Sequence, residues 1–425
     1  MAISLFFIFC SFFVFLDVVF FYWSFLFLLY FVYIFYNGFD GFFNFDCLGV
    51  FMSFVSVWIF FLSFFSMELN LKGKMIVWLM LVFSVNSFLF DNFLFFYISF
   101  EFIFIFIFVF LLGWGKTLER LQASFYMFFY TMVFSLPFLL MIINYSFLYS
   151  SFFFVFSFFC YEDFFLYFMI LVFVVKLPLY GFHSWLPKAH VEAPVAGSMI
   201  LAGVLLKLGG YGLLRFFSAI YMYSFSFSLF MSFIFYLGLF SCLFMSFVCV
   251  RQMDLKMMIA YSSVVHMGVV MLGILSFSDF GYYGSLLMML SHGFVSPCLF
   301  YLMTYFYSVL HSRSIMILKG ALVFFPLFCL FWFLGCTLNL GLPPFMSFFS
   351  EVIVFSSLGF LSMLDFFLLL FSCFFSGVYC IYMYTSVSHG EDLGFFSYFI
   401  DHKTVLLSVC HFFFVFSFPL VFFIF

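Results

Sequence analysis

Four charged residues lie inside long apolar segments of the sequence, in the chain order acid, base, base, acid: Glu101, Lys176, Lys207 and Glu351. Glu101 lies near the middle of FLFFYISFEFIFIFIFVF. An ionised carboxylate in such surroundings costs about 3 kcal/mol or more unless it is paired or neutralised. Ionisable residues in apolar spans are typical of ion and proton pathways. We therefore expect these four residues to form such a pathway.

Lys176 is the expected partner of Glu101. It lies in VFVVKLPLYGFHSW, two residues before Pro178. Proline has no backbone N–H and clashes with the preceding turn, so we expect the helix to open here and the carbonyl groups around Phe173 and Val174 to lose their partners. Transporters build ion sites from an opened helix beside a buried charge.

A second break is expected before Glu351, where the chain reads NLGLPPFMSFFSE over residues 339–351. His266 and His292 each lie in the middle of a further apolar span. Imidazole titrates close to neutral pH and can relay protons. A histidine in a membrane helix can instead serve only as a hydrogen-bonding partner for the neighbouring helix. Both alternatives apply to His266 and His292 at this stage.

Three structural alternatives compete with the pathway. Lys207 lies about seven residues from the nearer end of its span, so its long side chain could extend to the membrane surface. The Glu101–Lys176 pair could hold two helices together without moving protons. His183 and His190 flank a Trp/Pro turn, and we expect them at the membrane interface, with too few neighbouring ligands for a metal site.

Composition identifies the elements that must position these residues. Of 425 residues, 68% are hydrophobic and 7% are charged, and the mean hydropathy is +1.34. A water-soluble domain is thereby excluded, since about a quarter of its residues would be charged. Apolar runs long enough to cross a bilayer recur along the chain. We predict an all-α polytopic membrane protein of about 14 transmembrane helices, with discontinuous helices around Lys176–Pro178 and Gly341–Glu351.

The net charge of −4 excludes a basic nucleic-acid surface. The 92 Phe residues indicate codon bias in a T-rich, organellar genome, and no cleaved targeting segment precedes the first apolar run. The 11 Cys residues are scattered without metal-ligand spacing, and no nucleotide-binding motif occurs. We expect no cofactor, metal or redox centre on this chain.

Basic loop residues orient the predicted helices, since Lys and Arg gather on the side from which the helices were inserted. In alternate loops, ten basic residues fall on one side and Arg215 falls on the other. The ten are Lys72, Lys74, Lys116, Arg120, Lys188, Arg251, Lys256, Arg313, Lys319 and Lys403. Loops are short, so we predict one integral membrane domain over 1–425, with amino-terminal helices 1–90, a proton-channel core 91–360 and carboxy-terminal helices 361–425.

The segment KLPLYGFHSWLPKAHVEAPVAGSMILAGVLLKLGGYGLLRF, residues 176–216, closely resembles the family of chain 4 of the proton-pumping NADH:ubiquinone oxidoreductase, respiratory complex I. The resemblance continues in IAYSSVVHMG, SHGFVSPCLFYL and NLGLPPFMSFFSE, and covers about residues 90–350. Sibling pump chains and cation/proton antiporter subunits share the Lys-x-Pro and Trp-x-Pro patterns. HVEAP followed by AGSMILAGVLLKLGGYG resembles chain 4 in particular.

The resemblance implies a subunit of an NADH:ubiquinone reductase in the mitochondrial inner membrane. Glu101 and Lys176 are then the charge pair on the fifth and seventh helices, Lys207 is the central lysine and Glu351 is the terminal acid on a broken twelfth helix. NADH, FMN, iron–sulfur clusters and ubiquinone are expected in other subunits. The expected partners are the other membrane-arm subunits, including the sibling antiporter-like chains, and the lipid bilayer.

A proton path follows as a hypothesis. Moving Glu101 away from Lys176 drives the lysine proton towards Lys207, and His292 and water then carry it to Glu351. Two alternatives remain open from the sequence: a Na⁺/H⁺ antiporter subunit of the related cation/proton antiporter family, and a structural membrane subunit in which the buried charges are dispensable.

Overall fold

The described part of the chain is almost entirely α-helical. The computed structural model describes residues 46–67, 70–90, 92–115, 119–149, 163–220, 225–359, 362–390 and 402–422. The predicted spans at about 3–19 and 21–37 lie outside the described residues. The all-helical prediction is confirmed, whereas the number fourteen stays a prediction.

Sixteen helices and one π-helical turn follow one another along the described residues. They are α1 (Cys47–Ser66), α2 (Leu71–Leu89), α3 (Phe93–Trp114), α4 (Arg120–Tyr149), α5 (Asp163–Lys176), α6 (Trp185–Glu192), α7 (Val195–Ile200), the π turn (Leu201–Leu205), α8 (Leu206–Ile220), α9 (Phe225–Val250), α10 (Leu255–Leu275), α11 (Asp279–Leu310), α12 (Ala321–Phe324), α13 (Pro326–Leu340), α14 (Met346–Gly359), α15 (Met363–Ser388) and α16 (His402–Phe422).

Within these ranges, nine helices are long and apolar enough to cross a bilayer, if α7, the π turn and α8 are taken as one. Two further helices are broken into shorter pieces, α5 with α6 and α13 with α14. These are the two discontinuous helices that the sequence predicts.

The first break begins where α5 ends at Lys176. Pro178 has no N–H to donate to the carbonyl four residues earlier, so the α-helical ladder stops. Gly181 then adopts a left-handed φ of 94°, within the irregular segment before α6 begins at Trp185.

The second break begins at Gly341, which ends α13 with a left-handed φ of 74°. Two prolines follow, and α14 begins at Met346. The Ser347 hydroxyl donates to the Leu338 carbonyl at 2.8 Å, so this carbonyl at the end of α13, which also accepts from the Gly341 N–H at 3.3 Å, gains a second partner from beyond the break.

Helices α10 and α11 form the centre of the bundle. Of the 18 most apolar consecutive residues of each helix, 94% are buried in α10 and 100% in α11, but only 28% in α4 and 33% in α15. The peripheral helices present apolar side chains outwards, as lipid or neighbouring subunits require. His266 on α10 and His292 on α11 are therefore enclosed by protein on all sides.

Two polar clusters mark the opposite ends of the bundle. At one end, Lys256 and Arg313 both donate to the carbonyl of Val191, so the end of α6, the beginning of α10 and the end of α11 lie together. At the other end, Arg215 of α8 forms an ion pair with Asp46, which precedes α1. The basic residue predicted to be alone on its side is thus neutralised there.

Glycine permits the close packing of α11 against α14. A Cβ added to Gly284 would lie 2.8 Å from a methyl group of Val354 and 3.0 Å from its backbone nitrogen. At Gly113 the same addition meets nothing within 4 Å.

We predict that Gly284→Ala destabilises the protein by about 1–3 kcal/mol, because the added methyl group must push α14 away from α11. Gly113→Ala is the matched control and leaves stability unchanged or slightly raised. Thermal aggregation of the detergent-solubilised protein measures both. Equal thermal stability of the two variants would show that the α11–α14 contact tolerates separation.

Candidate functional site

Helices α3 and α5 bring the first predicted pair together. The Asn92 side chain accepts a hydrogen bond from the Leu94 N–H at 3.0 Å and caps α3, which places Glu101 two turns into the helix. Lys176 is the last residue of α5. Its Nζ lies 3.3 Å from Oε1 of Glu101, and both side chains are buried. The other carboxylate oxygen, Oε2, has no hydrogen-bond partner in the part of the chain that the structure describes.

Two aromatic rings complete the surroundings of Lys176. Its Nζ lies 3.0 Å from the ring centroid of Phe100 and 3.7 Å from that of Phe104. An ammonium over an aromatic face is attracted by the ring quadrupole by about 2 kcal/mol or more when desolvated. The lysine charge is therefore held by one carboxylate and two rings.

Of the two carbonyl groups expected to lose their partners at the opened helix, one keeps its partner. The Phe173 carbonyl keeps its partner, the N–H of Leu177 at 2.8 Å, so that part of the prediction is wrong: the ladder continues through the residue before the proline. The carbonyl of Val174 faces Pro178, which has no N–H. The Val175 carbonyl accepts from the Trp185 indole at 3.2 Å, which joins the two pieces of the broken helix.

Lys207 lies just after the π turn. A π turn leaves a carbonyl out of the regular ladder, and the Lys207 ammonium donates to the carbonyl of Ala202 within that turn. Its Nζ also lies 2.8 Å from Nδ1 of His292. The side chain is 1% exposed, so it does not extend to the surface of the bundle as the alternative interpretation required.

Beyond Lys207, polar groups continue towards the second break. The rings of His292 and His266 are 5.4 Å apart, and both residues are buried. The amide of Asn339 lies beside His266, and its Nδ2 donates to Sγ of Cys380 at 3.5 Å. Nε2 of His266 has no hydrogen-bond partner among the described residues. Asn339 was not among the predicted residues, although it lies in the quoted NLGLPP sequence.

Glu351 lies on the second turn of α14, directly behind the break. A Cβ on Gly341 would lie 3.0 Å from Oε2 of Glu351, so the glycine leaves the space that the carboxylate occupies. Glu351 is partly exposed. Five of the six predicted residues therefore form two contact groups, Glu101 with Lys176, and Lys207 with both histidines. Glu351, the sixth, packs against Gly341 at the break.

The two remaining histidines differ in burial. His183 is half-buried and His190 is fully buried, while the position of either residue at the membrane interface stays a prediction. The ring of His190 stacks on Phe300, with centroids 4.5 Å apart and planes 4° apart. His190 is buried because α6 packs inwards against α10 and α11 after the break.

A cluster that sequence reasoning missed holds the end of α6. The Lys256 ammonium donates to the carbonyls of Val191 and Ala193 at 3.3 and 3.2 Å. The Arg313 guanidinium donates to Val191 at 3.2 Å and lies 4.0 Å from Glu192. Cations stabilise helix carboxyl ends, where the carbonyl groups are unpaired. The positions of these residues in loops gave no signal that they converge.

The sequence is similar to those of known proteins. Residues 91–377 match the family described as NADH:quinone oxidoreductase/Mrp antiporter, TM. A chain named NADH-ubiquinone oxidoreductase chain 4 from Artemia franciscana is 44% identical over 310 residues, which cover 73% of this chain and 78% of that one. The protein of the same name from Locusta migratoria is 43% identical over 306 residues, or 72% of this chain and 68% of that one.

The chain belongs to the NADH-ubiquinone oxidoreductase chain 4 family.

Solved structures show the same fold. A chain of respiratory complex I from Thermus thermophilus with bound NADH superposes with a TM-score of 0.83 at 21% identity, covering 92% of this chain and 88% of that one. A chain of the Mrp complex from Dietzia superposes with a TM-score of 0.72 at 16% identity, covering 83% and 68%. The antiporter-like fold predicted from the sequence is confirmed for this member of the chain 4 family.

We predict that Phe100→Leu weakens the site of the Lys176 ammonium, because leucine fills similar space but has no ring quadrupole. About 2 kcal/mol of cation–π attraction to the desolvated ammonium is lost, so the variant is expected to be less stable than the parent protein by about that amount. Thermal aggregation of the detergent-solubilised protein measures the loss.

The matched control is Phe102→Leu, on the exposed face of the same helix. It leaves thermal stability close to that of the parent protein. If Phe100→Leu were as stable as Phe102→Leu, the ring of Phe100 would contribute packing alone.

Proposed function

We propose that this chain is a core membrane-arm subunit of a proton-pumping NADH:ubiquinone oxidoreductase, and that it translocates protons through its buried Glu, Lys and His residues. The observation that carries the proposal is the contact of 2.8 Å between Lys207 Nζ and His292 Nδ1 in the centre of the bundle. A protonated lysine and a neutral imidazole at this distance share one proton through a direct hydrogen bond.

The first step takes place at the Glu101–Lys176 pair. The carboxylate and the rings of Phe100 and Phe104 favour the protonated lysine. When Glu101 moves away, the ammonium loses its only charged partner among the described residues and is left in an apolar site. An uncompensated buried charge costs about 3–5 kcal/mol, which drives the proton off Lys176.

The second step passes the proton from Lys176 to the central group, which consists of Lys207, His292 and His266. Helix α8 packs tightly against the first break, since a Cβ on Gly209 would lie 3.1 Å from the backbone nitrogen of Leu177. Water spans the remaining separation between the two lysines. A proton that arrives on Lys207 is shared with His292, and His266 lies next in line.

The third step transfers the proton towards Glu351. Asn339 lies beside His266, two residues before Gly341, against which the Glu351 carboxylate packs. The side chain of Glu351 is partly exposed, so it can exchange protons with water. Glu351 is therefore the terminal group of the path, and the broken backbone beside it admits that water.

Electron transfer belongs to other subunits in this proposal. NADH, FMN, iron–sulfur clusters and ubiquinone bind there, and their chemistry reaches this chain through electrostatic and conformational coupling. The partners are the other membrane-arm subunits, including the sibling antiporter-like chains, and the location is the mitochondrial inner membrane. The animal relatives and the Phe-rich composition support an organellar origin.

The second candidate is a subunit of a Na⁺/H⁺ antiporter. The similarity to a chain of the Mrp complex favours it only at the level of the fold. Proton transport that depends on sodium and proceeds without NADH in reconstituted vesicles would favour the antiporter over the oxidoreductase subunit.

We predict that Glu101→Gln lowers the rate at which this chain transfers protons about tenfold or more, since the loss of a few kcal/mol of charge pairing exceeds the 1.4 kcal/mol that corresponds to one decade. Lys176→Ala has the same effect. Pumping is measured with the assembled complex in proteoliposomes, together with NADH oxidation and the amount of assembled complex.

Asp279→Asn is the matched control, because this carboxylate is exposed at the beginning of α11. It leaves pumping unchanged. Normal pumping by assembled Glu101→Gln complex would remove the charge pair from the mechanism and favour a structural subunit.

A further inference from the structure

The carboxy-terminal helix α16 carries a buried histidine that the proposed path does not use. His411 is 3% exposed, and its Nε2 has no hydrogen-bond partner in residues the structure describes. Its ring centroid lies 5.4 Å from that of Tyr301 on α11, with the planes tilted by 33°. A buried imidazole nitrogen without a partner is uncommon, and it calls for water or a transferable proton.

A second polar group without a partner lies one turn further along α11. The hydroxyl of Tyr305 is buried and has no hydrogen-bond partner among the described side chains and backbone groups. The Tyr305 ring is held in place by stacking on Phe328, with centroids 3.6 Å apart and planes at 9°. Tyr301 and Tyr305 are four residues apart and share a face of α11, the face that His411 contacts through Tyr301.

The direction of α16 shows at which end of the bundle His411 lies. We call the end at which Lys256 and Arg313 lie the basic end. Phe412 packs against Phe331 near the beginning of α13, and Phe416 packs against Phe345 after that helix has ended. Helices α16 and α13 therefore run in the same direction. The loop before α13 contains Arg313, so α16 also begins at the basic end.

Tyr301 and His411 lie at the same depth in the bundle, measured along their helices from the basic end. Tyr301 lies nine residues before the end of α11 at Leu310, and His411 lies nine residues after the beginning of α16 at His402. Nine residues at 1.5 Å per residue correspond to about 13 Å, so Tyr301 and His411 both lie about 13 Å from the basic end. His292 lies nine residues deeper than Tyr301 on the same helix. His411 is therefore midway between the basic end and His292.

A small cavity lies deeper on the same face of α16. It is lined by Val415, one turn after His411, and by Ser291 beside His292, Leu338 of α13 and Ser347, one turn before Glu351. Its space accommodates about one water molecule. The hydroxyls of Ser291 and Ser347 are the groups on its wall that can hold such a water.

We propose that His411, with the hydroxyls of Tyr301 and Tyr305, forms a proton-relay site that connects the basic end of the bundle with the His292–Glu351 half of the path. The ligand of the site is water. This inference rests on the proposed function, since it adds a branch to the same path.

The transfer is balanced in protons. A hydronium ion from the basic end gives its proton to Nε2 of His411, which leaves water and forms an imidazolium ion. The imidazolium returns the proton to the water held by Ser291 and Ser347, which becomes hydronium and passes the proton to His292 or Glu351. The groups that face or flank His411 are Tyr301, Tyr305 and, at the beginning of its own helix, His402 and Lys403.

We predict that His411→Phe lowers the number of protons pumped per electron at least about twofold in the assembled complex in proteoliposomes. Phenylalanine keeps the ring contact with Tyr301 but cannot take up a proton. Tyr305→Phe removes one oxygen atom and lowers the ratio less. Val409→Phe is the matched control, since Val409 is exposed on the outer face of α16, and its ratio stays at the parent value.

His411→Gln separates a relay from a structural role. Glutamine keeps hydrogen-bonding capacity but does not carry a proton at physiological pH, so a relay stays impaired and a purely structural role is restored. Restoration of the parent ratio by His411→Gln, or a parent ratio in assembled His411→Phe, would overturn the proposal. If His411→Phe fails to assemble, His411→Gln and Tyr305→Phe decide the question alone.

Glu101→Gln is measured alongside in the same preparation. Impaired pumping in Glu101→Gln with normal pumping in the His411 variants removes only the branch and leaves the main path. Normal pumping in Glu101→Gln removes the main path, whatever the His411 variants show.

Discussion

A charge buried in an apolar bundle must have a partner, and the described structure is organised around that requirement. Each ion taken out of water costs several kcal/mol even after relaxation. Lys176 is compensated by Glu101 and two aromatic faces. Lys207 is compensated by the carbonyl of Ala202 in the π turn and by His292. Irregular backbone therefore lies beside both buried lysines, at the end of α5 and at the π turn.

The cations held inside the bundle and at its end form two classes with different consequences. Lys256 donates to two main-chain carbonyls at the end of α6, and Arg313 donates to one of them and approaches Glu192. Main-chain carbonyls cannot take up the proton, so these contacts hold the charge in place. Lys207, in contrast, contacts an imidazole nitrogen, which accepts a proton readily. The chemistry of the partner, rather than burial itself, separates the cations that hold the fold from those that suit a proton path.

Sequence reasoning succeeded where a charge or a chain breaker is conspicuous. The pairing of Glu101 with Lys176 followed from the scarcity of charge, and both helix breaks followed from Pro and Gly. Proline alone was insufficient as a signal, since Pro137 and Pro297 lie inside continuous helices. The π turn was not predicted, because AGVLLKLGG contains no proline and its glycines alone do not distinguish a π turn from a regular helix. His411 was missed because its surroundings are contributed by α11, more than a hundred residues earlier in the chain.

The cluster at the end of α6 links the first break mechanically to the helices that carry the central histidines. Helix α6 is the second piece of the helix that carries Lys176, while Lys256 and Arg313 belong to α10 and to the loop after α11. Displacing α6 from these helices requires breaking charge-assisted hydrogen bonds, each of which contributes about 1.5–3 kcal/mol. A movement of α6 that does not break them must carry α10 and α11 with it. Because those two helices hold His266 and His292, a movement at the first break that keeps these hydrogen bonds also moves the central histidines.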